Sequence, residues 1–224
     1  MKSEELEEML LSYNMLVFTV NDAAKLIGKS KRYTSLFLSK NRHFRRIERN
    51  KYSLKNADIY AIASNISFPS YISSISAFRY YNLITQMPNS IEVISAKQHK
   101  TIDVNGYRIR FIKFSRDRVF GYSKDGGAMV ADPEKAMVDS LYLQADYSYI
   151  KEAFESYKEA VDIKKLIRYC LSMKSASTIS KLGFLLDSFG INTEDLIRHK
   201  SLHKVKLSPL AEKLDKKWGV IYAG

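Results

Sequence analysis

Two short helical patterns separated by one glycine, and followed at once by a hairpin pattern, constrain the first quarter of this chain more than any other feature. In NDAAKLIG (21–28), Asn21 suits an N-cap and Ala23, Leu26 and Ile27 share a face. Gly28 then ends the helix, because glycine tolerates positive φ. A second helix starts near Ser30 in SKRYTSLFLSKN. On a helical wheel Tyr33, Leu36 and Phe37 fall on one side, expected to dock inward. Lys31, Arg32, Ser35, Ser39 and Arg42 fall on the other, and Lys40, near the apolar arc, predicts the helix end. FRRIERNKYSL (44–54) reads as a hairpin turning at Arg49-Asn50, since asparagine accepts left-handed backbone. That register pairs Ile47 with Tyr52 inward and Glu48 with Lys51 outward. The expected unit, from about Phe18 to Leu54, is a helix-turn-helix with a β wing.

Charge gives this unit a direction. Between Lys25 and Lys55 stand eleven basic residues and one acid, Glu48, a net +10 of the +12 carried by all 224 residues. Charge concentrated in this way is the footprint of a nucleic-acid binder, whereas an even spread would be a solvated face. Lysine and arginine neutralise phosphates; arginine, serine and asparagine also reach base edges. The residues expected to contact DNA are Lys29, Ser30, Lys31, Arg32, Ser35, Ser39 and Arg42 in and around the second helix. Arg45, Arg46, Arg49 and Lys51 are expected to join them from the wing. Arg32, near the helix start, is the expected reader of a guanine, and the wing arginines are expected to hold phosphates.

The whole reads as α+β: an N-terminal winged helix-turn-helix over 1–64, then a larger mixed α/β domain over 65–224, divided at NISFPS. Ahead of the unit, 3–13 is predicted helical, with Ser3 as cap and Leu6, Met9, Leu10 and Tyr13 as its stripe. A short helix is predicted over 57–63 and an apolar one near 70–84. Strands are predicted at 91–95, 107–114 and 128–132, with turns at Asn105-Gly106 and Asp125-Gly126-Gly127. Helices are predicted over 163–171 and 180–190, and 204–207 is expected to pair with 218–222.

Several chemistries are set aside. No apolar run approaches the ~18 residues of a membrane span. MKSEELEEML, with four glutamates, does not read as a signal peptide. The single cysteine, Cys170, forms no internal disulfide, so a reducing cytoplasm is the expected compartment. Asp132-Pro133-Glu134-Lys135 has the acid spacing of a metal-dependent nuclease, yet fits a helix start better, with Asp132 as cap and Pro133 in the first turn. His199 and His203 are four apart but lack a third ligand. KDGGAM (124–129) reads as a turn rather than a phosphate loop. No enzyme activity, cofactor or metal is expected; a DNA-targeted nuclease and a protein adaptor are the competing readings.

Segments along most of the chain carry a resemblance. They are FTVNDAAKLIGKSKRYTSLFLSKN, IERNKYSL, YISSISAFRYYNLITQMPNSIEVIS with its Pro-Asn turn, GYRIRFIKF, VADPEKAMVDSLY, SKLGFLLDSFG and LSPLAEKLDKKWGVIYA. In these the chain resembles the AbiEi-type antitoxins of abortive-infection toxin–antitoxin systems, described as transcriptional regulators of viral defence. It departs from them at Lys135, where arginine is usual, and near Asn50, where glycine is usual. The resemblance implies a cytoplasmic repressor that binds double-stranded DNA at its own promoter. It also implies a C-terminal domain acting as antitoxin against a nucleotidyltransferase-like toxin. A stand-alone regulator with no toxin partner shares the same pattern.

Overall fold

The computed structural model describes residues 2–86 and 90–223, so the expected Pro88-Asn89 turn lies outside the described residues. Among the described residues the fold is α+β, with ten α-helices and three sheets.

The first six elements are α1 (Ser3–Ser12), β1 (Val17–Thr19), α2 (Val20–Ile27), α3 (Lys31–Lys40), β2 (Phe44–Glu48) and β3 (Lys51–Leu54). They enclose a small core of Leu6, Leu10, Phe18, Val20, Ala23, Leu38, Phe44, Tyr52 and Leu54. The sheet runs β1-β3-β2, antiparallel throughout. Helix α1 starts at Ser3, and Glu5 accepts from the Lys2 N–H at 3.2 Å, so Ser3 is not its cap. The cap of α2 is Thr19, not Asn21, because β1 runs straight into the helix. Thr19 Oγ1 accepts from the Asp22 N–H at 3.2 Å, and the Asp22 carboxylate accepts back from the Thr19 N–H at 2.9 Å. Gly28 ends α2 at φ 62°, a left-handed conformation in which a β-carbon is strained.

Helix α3 docks differently from the wheel. Tyr33 and Leu36 are 53% and 55% exposed, and the buried residues are Thr34 and Leu38, one turn apart. The Thr34 hydroxyl donates to the Ser30 carbonyl at 2.9 Å. With its polar group satisfied inside the helix, threonine is as buriable as an apolar residue. The hairpin register also differs. Arg46 opposes Tyr52, Glu48 opposes Lys51, and Ile47 is the extra residue of a β-bulge. The bulge turns Ile47 away from the small core and onto the larger one.

The larger core begins in the next helix. Helix α4 (Ile59–Asn65) packs on the two strands β4 (Ser70–Ile72) and β9 (Ala128–Ala131), and its Ala61, Ile62 and Ala63 are fully buried there. The buried residues of the small core run to Leu54, those of the larger core start at Ala61, and Ala57 packs against both. The segment expected as one helix over 70–84 splits into β4 and α5 (Ser74–Tyr80). Ser70, Tyr71 and Ile72 are buried on both faces, the pattern of an interior strand. Four further strands complete the six-stranded sheet: β5 (Ser90–Ser95), β6 (Ile102–Val104), β7 (Tyr107–Lys113) and β8 (Tyr122–Asp125). Its order is β6-β7-β5-β4-β9-β8, with parallel pairs β5/β7 and β4/β9 and the rest antiparallel.

Helices α6 (Pro133–Leu143), α7 (Tyr147–Tyr157), α8 (Ile163–Ser172), α9 (Ala176–Ser188) and α10 (Glu194–Ile197) follow. The third sheet joins β10 (Val205–Lys206), β12 (Val220–Tyr222) and β11 (Lys213–Asp215) in that order. Helix α9 carries Gly183 in its interior for a packing reason. A β-carbon there would collide with the ring of Trp218, which is fully buried and donates to Asp187 at 2.7 Å. Among the described residues no helix is long and apolar enough to cross a membrane.

Helix α6 lies at the centre, packed by α5, α7, α8 and α9 and buried at every position from Glu134 to Leu141. Inside it Lys135 pairs with Asp139, both fully shielded from solvent. The ammonium also lies 4.5 Å from the Phe120 ring centre. Burial pushes the Lys135 ammonium below its ordinary pKa and the Asp139 carboxyl above its own, and each partner opposes the shift of the other. Removing one partner of such a pair strands the other charge. Asp139→Ala is expected to destabilise the protein by about 3–5 kcal/mol, measured by urea unfolding. A loss under about 1 kcal/mol would show that the pair carries no such weight.

Candidate nucleic-acid interface

The exposed side of α3 and the β2–β3 hairpin face each other across an open groove of about 580 Å³. Helix α3 contributes Lys31, Arg32, Ser35 and Ser39; the hairpin contributes Arg46, Arg49 and Asn50. Val20 and Tyr52 complete the lining. Four cations and no acid line this groove. Local sequence explains each wall. Ser30 caps α3 by accepting from the Tyr33 N–H at 3.3 Å, which sets the helix start and so the phase of Arg32, Ser35 and Ser39. Asn50 takes φ 64° and closes the two-residue turn that projects Arg49.

The remaining expected contacts are placed elsewhere. Lys29 and Ser30 are exposed just before α3, outside the groove lining. Arg42 lines a separate depression with Glu7, His43, Lys55 and Asn56. Arg45 reaches Asn105 in the β6–β7 turn. Lys51, expected on the free side of the wing, is half-buried; its ammonium donates to the Ile66 carbonyl at 2.6 Å and pairs with Glu48 at 3.0 Å. These two side chains fasten the hairpin to the larger sheet. Asn50 belongs to the groove yet was legible only as a turn former.

Glu48 is the centre of that attachment. It faces Lys51 on one side and His99 Nε2, 3.4 Å away, on the other. His99 is held in turn by the Phe111 ring, 4.3 Å between centres. Burial works to raise the Glu48 carboxyl, but Lys51 and then His99 outweigh it and hold the pKa below the usual 4.5.

Asp132, Glu134 and Glu92 are each engaged in ion pairs. Asp132 stands at the N-cap position of α6 but makes no capping bond; it accepts from Tyr169 at 2.8 Å and pairs with Lys165 at 3.0 Å. Lys165 also reaches Glu134 at 3.1 Å. Burial works to lower Lys165, and these two acids overcome it, holding the ammonium well above its usual pKa. Glu92, in β5, pairs with Arg110 at 3.5 Å. His199 follows α10 and His203 lies beyond the Ser201 turn, so the two do not share a helix. Among the described residues no three His, Cys, Asp or Glu side chains are grouped to hold a metal ion. Compared with protein-family models and with curated protein sequences, the chain matches none.

The hairpin attachment predicts an acid dependence. A carboxyl whose folded pKa is depressed adds stability that is full above its unfolded value and fades as pH falls through the folded one. The Glu48 contribution is therefore expected to be complete above pH 4.5 and to decline below it. Melting temperatures of wild type and Glu48→Gln test this. The wild type should melt higher at neutral pH, and the gap should narrow on acidification. A gap that is constant or widens toward acid would contradict the assignment.

Proposed function

We propose that the chain is a sequence-specific DNA-binding transcriptional regulator, in which α2, α3 and the β2–β3 hairpin act as a winged helix-turn-helix. The observation that carries the reading is the convergence of Lys31, Arg32, Arg46 and Arg49 on one acid-free groove beside an exposed helix. Helix α3, about 10–12 Å across with its side chains, fits the major groove of B-DNA, about 12 Å wide. No acid occupies its first turn, so the positive helix end and the Lys31 and Arg32 charges act together on an approaching backbone. Arg32, Ser35 and Ser39 then meet base edges while Arg46 and Arg49 hold phosphates across the groove. Autorepression, and antitoxin action against a nucleotidyltransferase-like toxin, are the cellular setting that the sequence resemblance supplies for this binding.

Titrating the full-length protein with duplex DNA at several salt concentrations tests the reading. Three phosphate contacts, from Lys31, Arg46 and Arg49, at about −0.9 each predict a log–log slope near −3. Arg49→Ala should weaken operator and scrambled duplexes alike and reduce the slope by about one. Arg32→Ala should cost about 1–3 kcal/mol on a selected operator and much less on scrambled DNA. Arg42→Ala, outside the groove, should leave both within about twofold. Binding that ignores salt, or an Arg42 effect equal to that of Arg49, would refute the groove as the binding surface.

A further inference from the structure

Leu36 is out of place for a soluble helix. It is 55% exposed and belongs to neither hydrophobic cluster. It lies two positions from both Thr34 and Leu38, which puts it about 200° round the helix from each inward-facing side chain. It therefore stands at the outermost line of α3. Arg32 lies one turn before it and Lys40 one turn after, both exposed, with Ser39 beside it. Tyr33, the other exposed apolar residue of the helix, has its ring against Phe37, 6.4 Å between centres. Leu36 has no such neighbour among the described residues.

We infer that Leu36 is a specificity-determining residue that packs against the C5-methyl group of a thymine in the major groove. This rests on the DNA-binding reading of α3 and adds to it the identity of one base. A leucine side chain can neither hydrogen-bond a base edge nor neutralise a phosphate. Of the four bases only thymine offers an apolar group in the major groove. Charge decides against a second copy of the chain as the occupant. The surrounding segment carries +10, and two such surfaces repel, whereas a polyanion is drawn to it. The same cations that steer a duplex onto α3 hold Leu36 against its floor.

The test uses the full-length protein and duplexes selected from a random library. In the tightest-binding duplex each thymine is replaced singly by deoxyuridine, which lacks only the methyl group. Replacement at one position is expected to weaken wild-type binding about fourfold, the worth of one buried methyl. Leu36→Ala should lose a similar factor on the thymine duplex and no longer distinguish deoxyuridine there. Alanine at an exposed helix position keeps the fold, and an unchanged melting temperature checks this. If wild type binds every deoxyuridine duplex as tightly as thymine, the inference fails while DNA binding stands. It also fails if Leu36→Ala retains the methyl sensitivity. Loss of a dimer in Leu36→Ala by sedimentation, with no methyl sensitivity, would assign the leucine to a second copy instead. A protein that selects no duplex at all would overturn the regulator reading itself.

Discussion

A charge pair with no access to water, Lys135–Asp139, stands where the helical layer meets the large sheet. Three donors converge on one carboxylate: the Lys135 ammonium on Oδ1, and the Tyr71 and Ser73 hydroxyls on Oδ2 at 3.1 and 2.7 Å. Tyr71 lies in β4 and Ser73 directly after it, so β4 is fixed along α6 to within a hydrogen bond. Ser140, the next residue, reaches Ser74 at the start of α5. Sliding the strand past the helix leaves acceptors unmet in the interior, at about 1–3 kcal/mol each and more where a charge is involved. Such a pair adds little net stability; its loss is what is costly.

From β4 the order passes outward to the groove. Strand β4 and its neighbour β9 form the surface on which α4 packs, and Ile66, just after α4, offers its carbonyl to Lys51. The bulge at Ile47 sends a second anchor from the hairpin into the same larger core. Glu48 to His99 makes a third, on the β7 side of the sheet. One wall of the groove is thus held by the larger core. The other wall, α3, is held by Leu38 and Thr34 in the small core and its surroundings. The spacing between Arg32 and Arg49 accordingly depends on both parts of the molecule.

What could be read from the sequence was local. The break at Gly28, the start of α3 at Ser30 and the turn at Arg49-Asn50 each depend on residues within a few positions, and the observed dihedrals match those demands. What could not be read was decided by distant partners. Strand β1 exists because Val17 pairs with Ser53, and Ser70–Ile72 is a strand because Ile72 lies between Val93 and Val130. Helix α4 looked like the end of the first unit, yet its alanines fit under a sheet whose other strands come up to seventy residues later. Asp132 had every local sign of a cap, but Lys165 and Tyr169 from α8 claim its carboxylate. The phase of α3 failed for a different reason: a wheel scores threonine as polar, and Thr34 satisfies its own hydroxyl.

The basic segment shows how a charge count and a binding surface diverge. Eleven residues were expected to contact DNA in and around this segment of net +10, but attachment consumes part of that charge. Lys51 neutralises Glu48, the one acid of the segment, and Arg45 is spent on Asn105. The effect on the groove is favourable. With Glu48 compensated and turned toward His99, no acid offsets the field of Arg46 and Arg49 from within their own hairpin. Among the described residues neither arginine, nor Arg32, enters an ion pair. An unpaired arginine loses only hydration when it meets a phosphate, whereas a paired one must first give up its partner. The cations best placed for an anionic ligand are therefore the four that line the groove, and with Glu48 taken up by Lys51 the hairpin offers Arg46 and Arg49 no acid of their own.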